Sequence, residues 1–436
     1  MSVRHYVAEC PRRDRPPGAA AVIGVARLEQ RNARTGKWAS QNPCRAVWRP
    51  RVEGQRSEVQ GQASRTSSTL PREDLVLTIV GARPNFMKAA PIHDAFIRAG
   101  ISHEIIHTGQ HFDDAMSKVF FEDLGMPEPS AYLDVGSGTH AVQTAKVMIK
   151  LDRVFDERKP RMVIVVGDVN STMAGALVAA KRLIPLTHVE AGLRSRDRTM
   201  PEETNRLVTD AISDLLLTPS RDADANLRAE GIPDSRIVCV GNVMIDSLLS
   251  HLPRARATKA WEGLGLEPGR FGLVTLHRPS NVDEESTLSR ILGALIDLSE
   301  KLPLAFPVHP RTRRKLEEFS LIGKLPNRIK LLEPLGYLEI LSLLDASKLV
   351  LTDSGGLQEE STALGKPCLT LRANTERPVT VEEGTNILVH DDPARIAFES
   401  NEILLGRGKT GRIPALWDGK AAERVVQQVT RFLASA

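Results

Sequence analysis

Asp168 and Glu190 stand just past the ends of short apolar runs, and Glu202 opens a helical stretch behind a proline. His277 and His309 close two further runs, each followed by an arginine-containing turn. Carboxylates and imidazoles held at such places can give and take protons. Cations accompany them: Arg83 and Lys88 flank a strand-to-helix turn that opens at Gly81. A second turn, Asp353, Ser354, Gly355, Gly356, leads into a helical run that includes Glu360. Glycines there let backbone N–H groups approach phosphate oxygens, and a helix start adds partial positive charge. The turn has no Walker lysine, which argues against phosphoryl transfer of the ATP type.

Each of these residues also has a plainer reading. Asp168 precedes Asn170, Ser171 and Thr172 and could cap a helix. Glu202 could be a first-turn acid favoured by the helix dipole. Either histidine could be a satisfied core residue, and Ser354 could be an N-cap. Glu190 is harder to dismiss, because it sits at the mouth of an apolar strand between Val189 and Ala191. Taken together, the polar strand ends aim at a common edge, and packing alone does not explain that.

The positioning elements follow a strict rhythm from Leu75 onward. Apolar runs at 75–80, 103–108, 162–167, 186–191, 215–220 and 237–242 alternate with amphipathic stretches. A second series follows at 272–277, 304–309, 329–334, 349–354, 367–372 and 386–391. Near-continuous apolar strands are buried on both faces, as in parallel sheets, and the alternation builds βαβ units. The expected fold class is α/β, with two Rossmann-like doubly wound domains and a cleft between them. Ligands then bind beyond the carboxyl ends of the strands. The expected division is a first domain over 74–246 and a second over 247–420. A final helix, 421–434, is free to dock back on the first.

Residues 1–73 are unlike the rest, rich in Arg, Gln, Ser and Pro, and read as a disordered extension. Residues 1–72 hold fourteen Lys and Arg against five Asp and Glu, so the net charge of +4 hides a mildly acidic remainder. Nucleic-acid binding by the body is therefore not expected. Cys10, Cys44, Cys239 and Cys368 form no CxxC pair, which points to thiols in a reducing compartment rather than a disulfide frame or zinc site. No apolar stretch is long enough for a membrane span and no secretory h-region follows Met1, so a cytoplasmic protein is expected.

The motifs GARPNFMKAAP (81–91), TGQHFD (108–113), VVGDVNST (165–172), HVEAGLRSRDRTMPEETNR (188–206), HRPSNVD (277–283), PVHPRT (307–312), LTDSGGLQEESTALGKP (351–367) and TERPVTVEEGTN (375–386) are quoted as they stand. With them the chain resembles the non-hydrolysing UDP-N-acetylglucosamine 2-epimerases from about Leu75 onward. The resemblance implies a GT-B-like fold with UDP held mainly by the second domain. By motif position it implies that Asp168, Glu190, Glu202 and His277 form the catalytic group. Arg83 and Lys88 correspond to nucleotide-side ligands. His309, Ser354, Gly355, Gly356 and Glu360 correspond to phosphate and ribose contacts. Leu335 and Ile340 correspond to the uracil pocket, and Arg377 to a further substrate-side arginine. Gln110 and His111 lie where family members bind a second UDP-GlcNAc as activator. A homodimer is also implied. The loop from Arg194 to Pro201 lacks a Trp found in some relatives, and Ser280 replaces a common Glu.

The chemistry is consistent with this. The C2 hydrogen of the sugar is not next to a carbonyl carbon, so simple proton removal and return is disfavoured. Transient oxidation would need a dinucleotide, and no GxGxxG follows a strand. Elimination of UDP to 2-acetamidoglucal with re-addition, the route the resemblance implies, needs no cofactor and no metal. Rival readings are a hydrolysing relative, an epimerase of a diacetamido UDP-sugar, a GT-B glycosyltransferase and a nucleotide-sugar sensor.

Overall fold

Runs of Val, Ile and Leu with few polar interruptions have one stable home, the interior of a sheet covered on both faces. The computed structural model describes residues 74–109, 125 and 128–435, without the side chains of Arg83 and Pro84. Seven parallel strands form a first sheet: β1 Val76–Val80, β2 His103–His107, β3 Ala131–Tyr132, β4 Met162–Val166, β5 Leu186–Val189, β6 Leu215–Thr218 and β7 Ile237–Cys239. Their order is β3-β2-β1-β4-β5-β6-β7. Six more parallel strands form a second: β8 Gly272–Thr275, β9 Leu304–Pro307, β10 Ile329–Leu332, β11 Leu349–Thr352, β12 Cys368–Thr370 and β13 Asn386–Leu388. These run β10-β9-β8-β11-β12-β13.

Both orders reverse once, between β1 and β4 and between β8 and β11. At such a switch point the flanking crossovers leave in opposite directions and open a crevice beyond the strand ends. The turns after β1 and β4 carry Gly81 and Asp168, and those after β8 and β11 carry His277 and Ser354. The expected α/β class with two doubly wound sheets is what the chain adopts. All twelve expected strands form; β1 ends with its apolar run, and each of the others ends one to three residues before its run does. The unexpected β3 is a two-residue edge strand paired through Ile106 and Ala131.

The helix Val243–Thr258 links the two halves. Val243 packs in the core of the first sheet, whereas Ile245, Leu248 and Leu252 pack with Leu341, Leu344 and Val350 of the second. The passage between the sheets thus runs through a continuous helix. After the second sheet the chain returns, and the Trp417 indole donates to the Pro219 carbonyl at 3.0 Å. The helix Ala421–Ser435 then lays Ala421, Ala422, Val425, Val426, Val429 and Leu433 on Val76, Ile92, Met162 and Ile164. Each fully buried valine or leucine contributes about 1.5–3 kcal/mol. The first turn of that helix is held by Asp246, whose carboxylate accepts from Ala421 N at 3.1 Å and Ala422 N at 2.7 Å. No described helix is long and apolar enough to cross a membrane.

Candidate active site

Strand β5 ends at Val189, and the next residue, Glu190, has a left-handed backbone with φ +70°. A non-glycine residue there is strained by about 1–3 kcal/mol and persists only where its surroundings hold it. Glu190 is buried, and its carboxylate is gripped from two sides. Lys88, from the helix Arg83–Arg98 after β1, pairs with Oε2. Arg377, which precedes the helix Pro378–Glu382 of the second sheet, places Nη2 3.2 Å from Oε1. Gly167 follows strand β4 at φ +70°, and there a side chain would press on Glu190 Oε2 at 3.3 Å.

Asp168 follows Gly167 and is half-buried. Arg206 of the helix Pro201–Ile212 donates to Asp168 Oδ2 through Nη2 at 2.6 Å and Nε at 3.1 Å. Burial would raise the Asp168 carboxyl, but the Arg206, Lys88 and Arg377 charges hold it below the usual aspartate range. Asp168 is therefore an ion-paired group and not the cap of the following helix, whose N-cap is Val169. Glu202 lies in the first turn of its helix and joins none of the described ion pairs. It lines a cavity of about 270 Å³ with His140, Gln143, Asn170 and Asn205. Its neighbour Glu203 is the buried acid, accepting from Ser195 N and Arg196 N at 2.9 Å and from Arg206 at 2.6 Å.

On the second sheet, Asp353 is completely buried and acts as a hub. It accepts from His277 N at 2.9 Å, Arg278 N at 2.9 Å and Asn281 Nδ2 at 3.1 Å, and its Oδ1 meets His277 Nδ1 at 2.8 Å. Burial would raise this carboxyl, yet the hydrogen bond and charge of His277 keep it below the aspartate range. His277 thus donates through Nδ1, which leaves Nε2 for other work. His309 lies beside it, ring centroids 5.7 Å apart, and its Nδ1 accepts from Arg311 N at 3.1 Å. Burial and the neighbouring His277 depress the His309 pKa.

Ser354 occupies the N-cap position of the helix Gly355–Ala363 but makes no side-chain cap bond. Gly355 is needed for close approach, since a Cβ there would sit 2.6 Å from Arg377 Nη1. Gly356 has ordinary room around it. Glu360 is buried and accepts from the Tyr337 hydroxyl at 3.1 Å. Burial pushes its carboxyl up to about 7, with the Glu359 charge adding to the rise. Leu335 and Ile340 are half-buried beside Tyr337. Gln110, His111 and the side chain of Arg83 lie outside the described residues.

The structure adds charged residues that the sequence reading passed over. Arg377 reaches Glu359 Oε1 at 2.8 Å and Glu376 Oε1 at 2.7 Å besides Glu190. Arg372 meets Glu376 at 2.7 Å and Arg278 does so at 3.5 Å. Burial would raise Glu376, but the Arg377 and Arg372 charges hold it far below the usual range. Burial and the Arg372 charge lower Arg278. Arg278 Nε and Arg372 Nη1 are buried donors with no partner among the described residues. Such donors are satisfied by an incoming anion. Their signal in the sequence was weak, because isolated charges in loops and helical turns ordinarily face water.

Two doubly wound parallel sheets that meet through the buried pair of Arg377 and Glu190 define a GT-B-like α/β enzyme. A family model described as UDP-N-acetylglucosamine 2-epimerase matches residues 96–430. The UDP-N-acetylglucosamine 2-epimerase of Methanocaldococcus jannaschii is 44% identical over 359 residues, which cover 81% of this chain and 98% of the relative. Its crystal structure in complex with UDP-GlcNAc and UDP matches with a TM-score of 0.75 at 43% identity, over 82% of this chain and 99% of that one. The UDP-2,3-diacetamido-2,3-dideoxy-D-glucuronate 2-epimerase of Pseudomonas aeruginosa is 43% identical over 362 residues, 82% of this chain and 99% of its own. The fold alone is shared with sucrose-phosphate synthase of Thermosynechococcus elongatus, at 14% identity and a TM-score of 0.58 over 84% of this chain and 100% of that one. The chain belongs to the UDP-N-acetylglucosamine 2-epimerase family, and it is an epimerase.

Proposed function

We propose that the protein interconverts UDP-N-acetylglucosamine and UDP-N-acetylmannosamine without releasing the free sugar, by elimination and re-addition of UDP. The observation that carries this reading is the placement of Glu190. It is a buried carboxylate at the junction of the two sheets, held by Lys88 on one side and Arg377 on the other. A diphosphate entering the cleft competes with Glu190 for Arg377 and draws on the unpaired donors of Arg278 and Arg372.

In the elimination step one carboxylate takes the C2 proton, the C1–O bond breaks, and its electron pair leaves with UDP. A C1=C2 double bond forms, giving 2-acetamidoglucal. In the return step a carboxylic acid delivers a proton to the opposite face of C2 while a UDP oxygen bonds C1. Asp168 and Glu190 are the groups we assign to the two faces, and Glu202, in the first turn of the helix that carries Arg206, is the third carboxylate we assign to the catalytic group. His277 donates toward the departing phosphate oxygen through Nε2, its other nitrogen being held by Asp353. His309, Ser354 and the following glycines cradle the diphosphate, Glu360 takes the ribose hydroxyls, and Leu335 and Ile340 flank the base. Closure of the cleft keeps the glucal from escaping.

The test is NMR of UDP-GlcNAc incubated with the protein in D2O. Deuterium at C2 with UDP still attached supports the proposal, and free N-acetylmannosamine would replace it with hydrolysis. A second sugar is worth testing because the Pseudomonas aeruginosa relative is nearly as similar as the archaeal one. Faster exchange on a diacetamido glucuronate UDP-sugar would reassign the substrate within the same chemistry.

A further inference from the structure

His188 lies on β5, opposite Val165 of β4, with a fully buried ring. Its Nδ1 stands 2.6 Å from Asp210 Oδ1, and its Nε2 stands 2.8 Å from the Gly167 carbonyl oxygen. A carbonyl can only accept, and so can a carboxylate that burial would raise but that the His188 and Arg194 charges hold below the aspartate range. Both ring nitrogens are therefore engaged, one by a buried carboxylate and one by a main-chain carbonyl. The second oxygen of Asp210 accepts from Gly192 N at 3.1 Å and pairs with Arg194 Nη1 at 2.7 Å. Gly167 and Gly192, at φ +70° and +81°, are the left-handed residues on either side of the chemistry. One precedes Asp168, and the other follows Glu190 by two residues.

Burying an ionisable pair in a sheet is costly, and apolar side chains of the same volume are often as stable or more so. The arrangement makes sense if it fixes geometry. We infer that His188 and Asp210 are positioning residues that tie the Asp168 turn to the Glu190 turn and so fix the relation between the two carboxylates. Neither touches the cleft. The inference rests on the roles proposed above for Asp168 and Glu190. Misplacement of a reacting group by about 1 Å can cost about a hundredfold in rate.

The test uses the full chain with His188→Phe, His188→Gln and Asp210→Asn, each alone and combined with Asp168→Asn. C2 exchange should fall about a hundredfold in kcat for His188→Phe, while KM and the Kd for UDP stay within about threefold. His188→Gln keeps one donor toward Gly167 and should recover about tenfold of that loss. Added to Asp168→Asn, each change should cost no more than about twofold further, because the pair acts through that carboxylate. The Arg206 Nε–H resonance, which reports the bond to Asp168, should shift in His188→Phe. A folded His188→Phe protein with wild-type kcat, or losses that multiply in the double variants, overturns the inference. If His188→Phe does not fold, His188→Gln and Asp210→Asn decide by the same measures. If wild-type protein exchanges no deuterium, the proposed function fails. The Arg206 resonance then still decides the positioning role, and an unmoved signal overturns it.

Discussion

Arg377 Nη2 lies 3.2 Å from Glu190 Oε1 and joins a residue of the second sheet to one of the first. The same guanidinium holds Glu359 and Glu376, so a single cation touches three buried acids, two of which have further cationic partners in Lys88 and Arg372. Burial would weaken that cation, but the three carboxylates strengthen it well above the usual arginine. Arg377→Met leaves those acids with less compensation. It should cost about 3–5 kcal/mol of stability, the usual penalty for breaking a buried ion pair, as read from urea denaturation. The C2 exchange rate should fall by at least about a hundredfold.

The carboxylates and the imidazole should separate chemistry from binding. Asp168→Asn, Glu190→Gln and His277→Asn each remove one proton carrier but leave the second-sheet cradle intact. Deuterium exchange at C2 should drop about 10²–10⁴-fold in each. UDP affinity by calorimetry should change little.

Glu360 makes stability and nucleotide binding depend on pH in opposite senses. Its carboxyl sits at about 7 in the fold and at the ordinary glutamate value when unfolded. Between those values the folded protein keeps a proton that the unfolded chain has lost, so stability declines as pH rises through that window. Ribose hydroxyls prefer the ionised carboxylate, so UDP affinity should rise over the same range. Both slopes should flatten in Glu360→Gln, as read from urea midpoints and UDP titrations at about pH 5 and about pH 8.

Gly355→Ala tests the contact between the phosphate turn and Arg377. The added methyl would meet Nη1 at 2.6 Å and must push the guanidinium away from Glu376 and Glu190. UDP affinity and exchange should both drop, whereas Gly356→Ala, which meets no protein atom closer than 3.9 Å, should leave the urea midpoint unchanged.

Asp246→Ala removes the acceptor for two N–H groups of the last helix. The loss should be about 0.5–2 kcal/mol, with hydrogen exchange accelerated first in Ala421–Ser435.

The sheets were legible because most strands are near-continuous apolar runs, and burial on both faces demands that composition. Ala131–Tyr132 was not, since two residues carry no period and the pairing lies at a sheet edge. The division placed near Asp246 falls inside the helix Val243–Thr258, whose sequence gives no turn residue to mark the change of core. At the site, strand-end residues such as Glu190 and His277 stood out by position. Arg206 and Glu359, in helices, and Glu376, in a loop, did not, because a lone charge in such places looks solvated until its partner is brought from far along the chain. Arg206 meets Asp168 across thirty-eight positions and Arg377 meets Glu190 across 187. His188 read as one more residue of a strand, because Asp210 and Gly167 reach it only in the folded sheet.

The return of the last helix to the first core has a consequence for how the polypeptide can be cut. The second sheet is a guest inserted into a host fold whose own hydrophobic layer is completed only by Val425, Val429 and Leu433. Arg161 fastens both ends of that host, pairing with Asp74 and donating to the Leu433 carbonyl at 2.7 Å. A premature stop a few codons before Ala421 would therefore spare every strand and every residue of the cleft, and still leave the host unable to close its interior.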